Sequence, residues 1–140
     1  YTNSYKSAFY GFRIGLNVIR APFYGPKSIR YAEQAIKDDA SNPFGYIQYA
    51  NCLYYMPESF GGSKEKAIEY YLKALRLMES KAEWRAGDWN YLSLLTVLGK
   101  TYQEAGDPLT AKGYYEKALA AEPAFMWIRD ELYPEIIKKL

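Results

Sequence analysis

The stretch LSLLTVLGKTYQEAGDPLTAKGYYEKALAAEPAF, residues 92–125, decides the fold. Its apolar residues return every three or four positions at Leu92, Leu95, Leu98 and Tyr102, which is the period of one helix face. Gly106 and Asp107 interrupt that rhythm, and it resumes at Leu109, Tyr115, Ala118 and Leu119. Asp107 suits an N-cap, because its carboxylate can accept from backbone N–H groups that lack a helical partner. Pro108 suits the first helical position, where no N–H is needed. Pro123 ends the second run, since proline cannot continue a helix. The pattern therefore predicts two helices folded back on each other as a hairpin.

Counted from Leu92, this 34-residue hairpin resembles the tetratricopeptide repeat. Leu95 stands where the repeat usually has Trp, Leu98 and Gly99 match its Leu-Gly pair, and Tyr102 matches its aromatic. Ala111 is the small residue that opens the second helix, and Tyr115, Ala118 and Pro123 complete the match. Gly99 and Ala111 are expected to be small because the two helices approach closely there.

A second unit opens at Asn42 and Pro43, again a cap followed by proline. Tyr46, Tyr49, Ala50 and Leu53 take the large-large-small-large positions of its first helix. Its second helix, SKEKAIEYYLKALRLMES, places Ala67, Tyr71 and Ala74 where the next unit has Ala111, Tyr115 and Ala118. Ala67 and Ala111 are 44 residues apart, against about 34 for a plain repeat. The extra length falls in MPESFGG, residues 56–62, and KAEWRAGDWN, residues 81–90.

A further unit is read at the N-terminus from SYKSAFYGFRIGLNVIR and SIRYAEQAIKDDA, with APFYGPK, residues 21–27, as the loop between them. Gly11 and Gly15 are its expected small contacts. The segment FMWIRDELYPEIIKKL reads as the solvated helix that closes a repeat stack, and Pro134 should kink or restart it after Tyr133. The expected fold is all-α, an α-α superhelix in the form of a short right-handed tetratricopeptide-like solenoid. It is read as one domain over residues 1–140, with hairpins at about 4–39, 43–80 and 88–122 and a capping helix at 124–140.

Composition narrows the function. Eighteen basic and sixteen acidic residues leave a formal charge of +2, and no contiguous block of like charge stands out. The electrostatic footprint of a nucleic-acid binder is therefore missing. No apolar run reaches the length of about 18 residues that a membrane span needs. Cys52 lies in an apolar stretch and reads as a small core residue, not a reactive thiol. There is no histidine, which removes the commonest general base and excludes Ser-His and Cys-His nucleophiles. The carboxylates of Glu58, Glu65, Glu104 and Asp107 remain as candidates for acid–base work, but nothing in their spacing sets one as acid and another as base. No catalytic residue, metal or cofactor is expected, and the chain reads as non-enzymatic. The PESFGGSK segment departs from the phosphate-loop order, because its lysine follows the serine. Its glycines read as a turn and Ser63 as a helix cap.

A narrower resemblance spans most of the chain. Pro57, Phe60, Gly61, Gly62, Lys66 and Ala67, with Trp127 and Pro134 near the end, resemble small tetratricopeptide proteins of the Gram-negative bacterial cell envelope. The resemblance implies a periplasmic or envelope location, with any signal or lipid anchor lying upstream of Tyr1, and no enzymatic activity. A protein or peptide partner is expected instead from the face that stacked hairpins present.

Stacked hairpins present a concave face lined by first-helix residues that do not pack between helices. The positions expected there are Phe44, Ile47, Asn51, Tyr54 and Tyr55 in the second unit. In the third they are Ser93, Thr96, Lys100, Gln103 and Glu104. Some members of the family grip a peptide's terminal carboxylate with Lys, Asn and Arg on this face. Asn51 matches one element, but Gln103 and Glu104 fall where basic residues would be wanted. Aromatic rings and amides instead suit an extended peptide, or, in a second reading, a small molecule or glycan held in an aromatic pocket under the inserted loops. Tyr54 and Tyr55 either form contact surface or pack beneath the 56–62 loop, and Trp84 and Trp89 pose the same choice in the second insertion.

Overall fold

The computed structural model describes residues 2–17, 21–81 and 88–140, and every regular element among them is helical. The helices are α1 (Thr2–Leu16), α2 (Ala21–Asp38), α3 (Pro43–Tyr55), α4 (Lys64–Glu79), α5 (Trp89–Glu104), α6 (Pro108–Ala121) and α7 (Tyr133–Ile137). They pack as paired hairpins, the arrangement expected of a tetratricopeptide-like helical array. The chain divides into two compact units, Tyr1–Leu77 and Met78–Leu140.

In the first unit, α1 and α2 meet through small residues. Ser4, Ser7, Ser28, Ala32 and Ala35 are all buried, and the Ser28 hydroxyl donates to the Ser7 carbonyl at 2.8 Å. Gly15 contributes nothing to this contact, since a Cβ there would meet no atom within 4 Å, and Gly11 would meet only Ser28 at 3.9 Å. The expected glycine contacts are thus replaced by serine and alanine.

The 21–27 segment is not a loop: α2 begins at Ala21 and runs through Pro26. Pro22 sits in the first turn, where the missing N–H costs nothing. Pro26 removes one helical bond to the Pro22 carbonyl, but both prolines are exposed, so water can take that bond.

Asn42 caps α3 by accepting the Phe44 N–H at 3.0 Å, with Pro43 at the first position. Gly45 lets α3 approach α2, because a Cβ there would lie 3.0 Å from the Ile36 backbone nitrogen. Against α4, the Tyr49 ring meets Tyr70 edge-on at 4.7 Å, and the buried Tyr71 hydroxyl donates to Asn51 Oδ1 at 2.6 Å.

The connection from α3 to α4 is built on two glycines. Gly61 closes the 3₁₀ turn Glu58–Phe60 with φ of +96°, a conformation that costs a residue with a Cβ. A Cβ on Gly62 would come within 1.8 Å of the Met56 carbonyl oxygen. Ser63 then donates its N–H to the Leu53 carbonyl at 3.0 Å, and its hydroxyl oxygen accepts the Lys66 N–H at 3.2 Å. The loop is therefore a turn with a serine cap, as its residues suggest, and the free N–H groups at the start of α4 are partly satisfied by Ser63.

In the second unit, Asp88 caps α5 by accepting the Asn90 N–H at 2.7 Å, so Trp89 and Asn90 belong to the helix and not to the insertion. Gly106 takes φ of +82° just past α5, and Asp107 caps α6 through the Thr110 N–H at 3.0 Å. A Cβ on Gly99 would stand 2.3 Å from the Tyr115 ring, so the glycine is what lets α5 and α6 close on each other. The aligned residues Ala111, Tyr115 and Ala118 are fully buried, as are Ala67, Tyr71 and Ala74 in α4.

The closing segment passes through a π-helical turn, Ile128–Leu132, before α7 restarts at Tyr133 with Pro134 in its first turn. Pro134 cannot donate to the carbonyl four residues back and its ring crowds that carbonyl. The widened turn, closed by the Tyr133 N–H on the Ile128 carbonyl, accommodates it.

Candidate functional site

The first-helix residues expected on an open face divide into packed and exposed groups. In the first unit Phe44, Ile47, Asn51 and Tyr54 on α3 are half-buried, whereas Tyr55 is 76% exposed. Asn51 holds the Tyr71 hydroxyl. Burial, with the neighbouring Tyr55 and Tyr54 phenols adding to it, pushes the Tyr71 phenol far above its ordinary value. Tyr54 stacks edge-on with Tyr55 at 4.8 Å and carries the Lys64 ammonium 5.5 Å above its ring. Tyr54 is thus packed at the start of α4, while Tyr55 beside it keeps most of its surface in solvent. Phe60, in the same connection, is 74% exposed.

The α5 residues are more fully committed. Thr96 is buried and donates its hydroxyl to the Leu92 carbonyl at 2.8 Å, so its hydroxyl is turned into its own helix. Lys100 places its ammonium 5.4 Å from the Trp127 ring of the closing segment. Gln103 accepts the Tyr115 hydroxyl at 3.0 Å and donates to the Glu135 carboxylate at 3.2 Å. Burial, with Glu135 and Glu104 adding to it, pushes the Tyr115 phenol up to about 12. Ser93 and Glu104 are exposed. In each unit, then, a side-chain amide from the expected face accepts the hydroxyl of a buried second-helix tyrosine. Spacing places the amides correctly but does not reveal that use, because it depends on where the neighbouring tyrosine points.

Trp89 is 66% exposed and tilts against Phe125 with ring centroids 5.5 Å apart. Trp84 lies outside the described residues. The Cys52 sulfur lies 3.2 Å from the Ser28 hydroxyl and 3.8 Å from that of Ser7, and burial pushes its thiol up. That environment suppresses the thiolate, the reactive form.

Two of the four carboxylate candidates are shifted away from the range that acid–base chemistry needs. Hydrogen bonds to Thr110 hold Asp107 below its usual range, and hydrogen bonds from the Glu65 N–H and the Ser63 hydroxyl do the same for Glu65. Glu58 and Glu104 are exposed at the ends of separate elements. A general acid near neutral pH needs its carboxyl pushed upward. Among the described residues no group of His, Cys, Asp or Glu is arranged to hold a metal ion, and no helix is long and apolar enough to cross a membrane.

One surface escapes the sequence reading altogether. On the first hairpin, Thr2, Tyr5, Lys6, Phe9, Tyr10 and Tyr31 line an open depression of about 500 Å³. Tyr10 stacks parallel on Tyr31 at 5.7 Å and packs on Tyr24 at 5.6 Å. Lys27 lies 5.6 Å from the Tyr10 ring and Arg30 5.7 Å from that of Tyr31. Residues 1–32 contain five basic residues and no acidic one. That imbalance is legible in the sequence, but Lys6, Arg13, Arg20 and Lys27 are seven residues apart, so a search for contiguous charge passes over them.

A search of curated proteins finds no match to the chain. Residues 59–80 and 92–125 match the tetratricopeptide repeat, a helical-repeat family that generally mediates protein–protein interactions.

Proposed function

We propose that the chain is a non-enzymatic interaction module that binds a protein or peptide through the α3 face and the loop that follows it. The observation that carries this reading is the pair of large aromatic residues, Tyr55 at the end of α3 and Phe60 in the turn that follows, left 76% and 74% exposed. Aromatic side chains contribute large contact area at low entropic cost and concentrate binding energy where they are exposed. Asn51 belongs to this surface as the support for Tyr71, and Phe44, Ile47 and Tyr54 as its border. Placement in the envelope of a Gram-negative bacterium follows from the narrower resemblance of residues 57–67, Trp127 and Pro134, and fractionation of the native protein checks it.

The binding test compares cross-linked partners of the wild-type chain with those of Tyr55→Ala/Phe60→Ser. Both positions are exposed, so the helical circular dichroism should be unchanged. Loss of a reproducible partner supports the reading, and an identical set of partners counts against it.

A further inference from the structure

The first hairpin carries a second surface that the α3 reading does not use. Helix α1 turns its small residues inward, with Ser4 and Ser7 buried, and its large ones outward. Tyr5, Phe9, Phe12 and Leu16 are 73%, 54%, 68% and 72% exposed. They are separated by four, three and four residues. At 3.6 residues per turn they occupy an arc of only about 60°. That is the narrow seam of a helix made to pack on another helix, not the apolar face of about 100° or more typical of a broader amphipathic helix.

Charge defines the partner. Lys6 and Arg13 each follow a seam residue by one position and run along a single border of the stripe, where charges select a partner helix. The ion pairs among the described residues involve neither of them. Lys6 lies 5.2 Å from the Tyr31 ring, and Arg13 lies 5.0 Å from Tyr24 and 5.7 Å from Phe9. Both cations thus lie along the hairpin, and no carboxylate of the described residues pairs with them. The opposite border carries Ala8 and Gly15, which are uncharged. Two copies of α1 packed seam to seam would set the cations beside neutral residues or beside each other, so self-pairing gains nothing from them. An acidic border on the partner satisfies both.

We infer that α1 docks an amphipathic helix whose apolar seam is bordered by acidic residues. This surface is separate from the one built on Tyr55 and Phe60, and either can fail alone. The test titrates the full chain against a fluorescein-labelled synthetic helix with Leu and Ile along its seam and Glu along its borders. A twin carries Lys in place of Glu. The acidic helix binds with a salt-dependent affinity, and the basic twin binds about tenfold more weakly or worse. Phe9→Ser/Phe12→Ser weakens binding by about tenfold or more, while Tyr55→Ala/Phe60→Ser leaves it unchanged. Lys6→Glu/Arg13→Glu keeps the apolar seam and reverses the preference between the twins. Equal binding of the twins, or full affinity in the seam variant, overturns the proposal. So does tighter binding to phosphatidylglycerol vesicles than to the acidic helix, or a dimer of the free chain that the seam variant dissolves.

Discussion

Gly99 and Asn51 show how differently two residues expose their purpose. Gly99 is legible in the sequence because the repeat demands a small residue where two helices cross, and the Tyr115 ring 2.3 Å from its absent Cβ supplies the reason. Gly99→Ala should destabilise the second unit by about 1–3 kcal/mol through overpacking, relieved only in part by movement of the ring. Thermal unfolding followed by circular dichroism measures it. Asn51 is legible only as a polar residue at a face position. The structure gives its oxygen the hydroxyl of fully buried Tyr71. Asn51→Ala strands that hydroxyl and should cost about 1–3 kcal/mol in urea unfolding. A loss well below that range would mean that Asn51 is free for a partner.

Elements were readable where their ends carry caps. Asn42–Pro43, Asp107–Pro108 and Ser63 each open a helix where their chemistry predicts. Asn42→Ala should cost about 1 kcal/mol, read as a lower denaturation midpoint with unchanged cooperativity. The connection from α3 to α4 is a stricter test. Gly62→Ala would drive a Cβ into the Met56 carbonyl, and backbone yields less readily than a side-chain tip. It should cost at least as much as Gly99→Ala, about 1–3 kcal/mol or more, with loss of the Ser63–Leu53 bond visible as faster amide exchange at Ser63. The start of α2 departs from the loop that its sequence suggests for a physical reason. Pro22 and Pro26 signal a loop when counted as breakers, yet one proline in a first turn and one on an exposed turn leave a helix nearly intact.

For the whole molecule, the buried tyrosines of the two units set an alkaline limit on stability. Burial raises the phenols of Tyr71 in the first unit and Tyr115 in the second, the latter to about 12. A raised folded value means that the native state holds its proton more firmly than the unfolded chain, whose phenols titrate near about 10. The contribution of Tyr115 is therefore complete below about pH 10 and disappears as pH rises through about 12. Denaturation midpoints should be flat from neutrality to about pH 10 and then fall. Tyr115→Phe should make that fall shallower, and absorbance at the phenolate band should report fewer groups ionised before unfolding. A fall of equal steepness in the variant would show that Tyr115 is not the group responsible.

By itself the sequence determined the helical class, the hairpin over residues 92–125, the caps and the small residues Gly99, Ala111 and Ala67 at helix crossings. Each of those follows from local periodicity, backbone geometry or a residue's size. Tertiary structure decided which of the expected face residues stay open. Thr96 turned into its helix, Lys100 and Gln103 went to the closing segment, and Asn51 went to Tyr71. It also decided that α1 buries serines and leaves Tyr5, Phe9, Phe12 and Leu16 in solvent. Periodicity shows that a helix has an apolar stripe. Only the placement of neighbouring helices shows whether that stripe is covered.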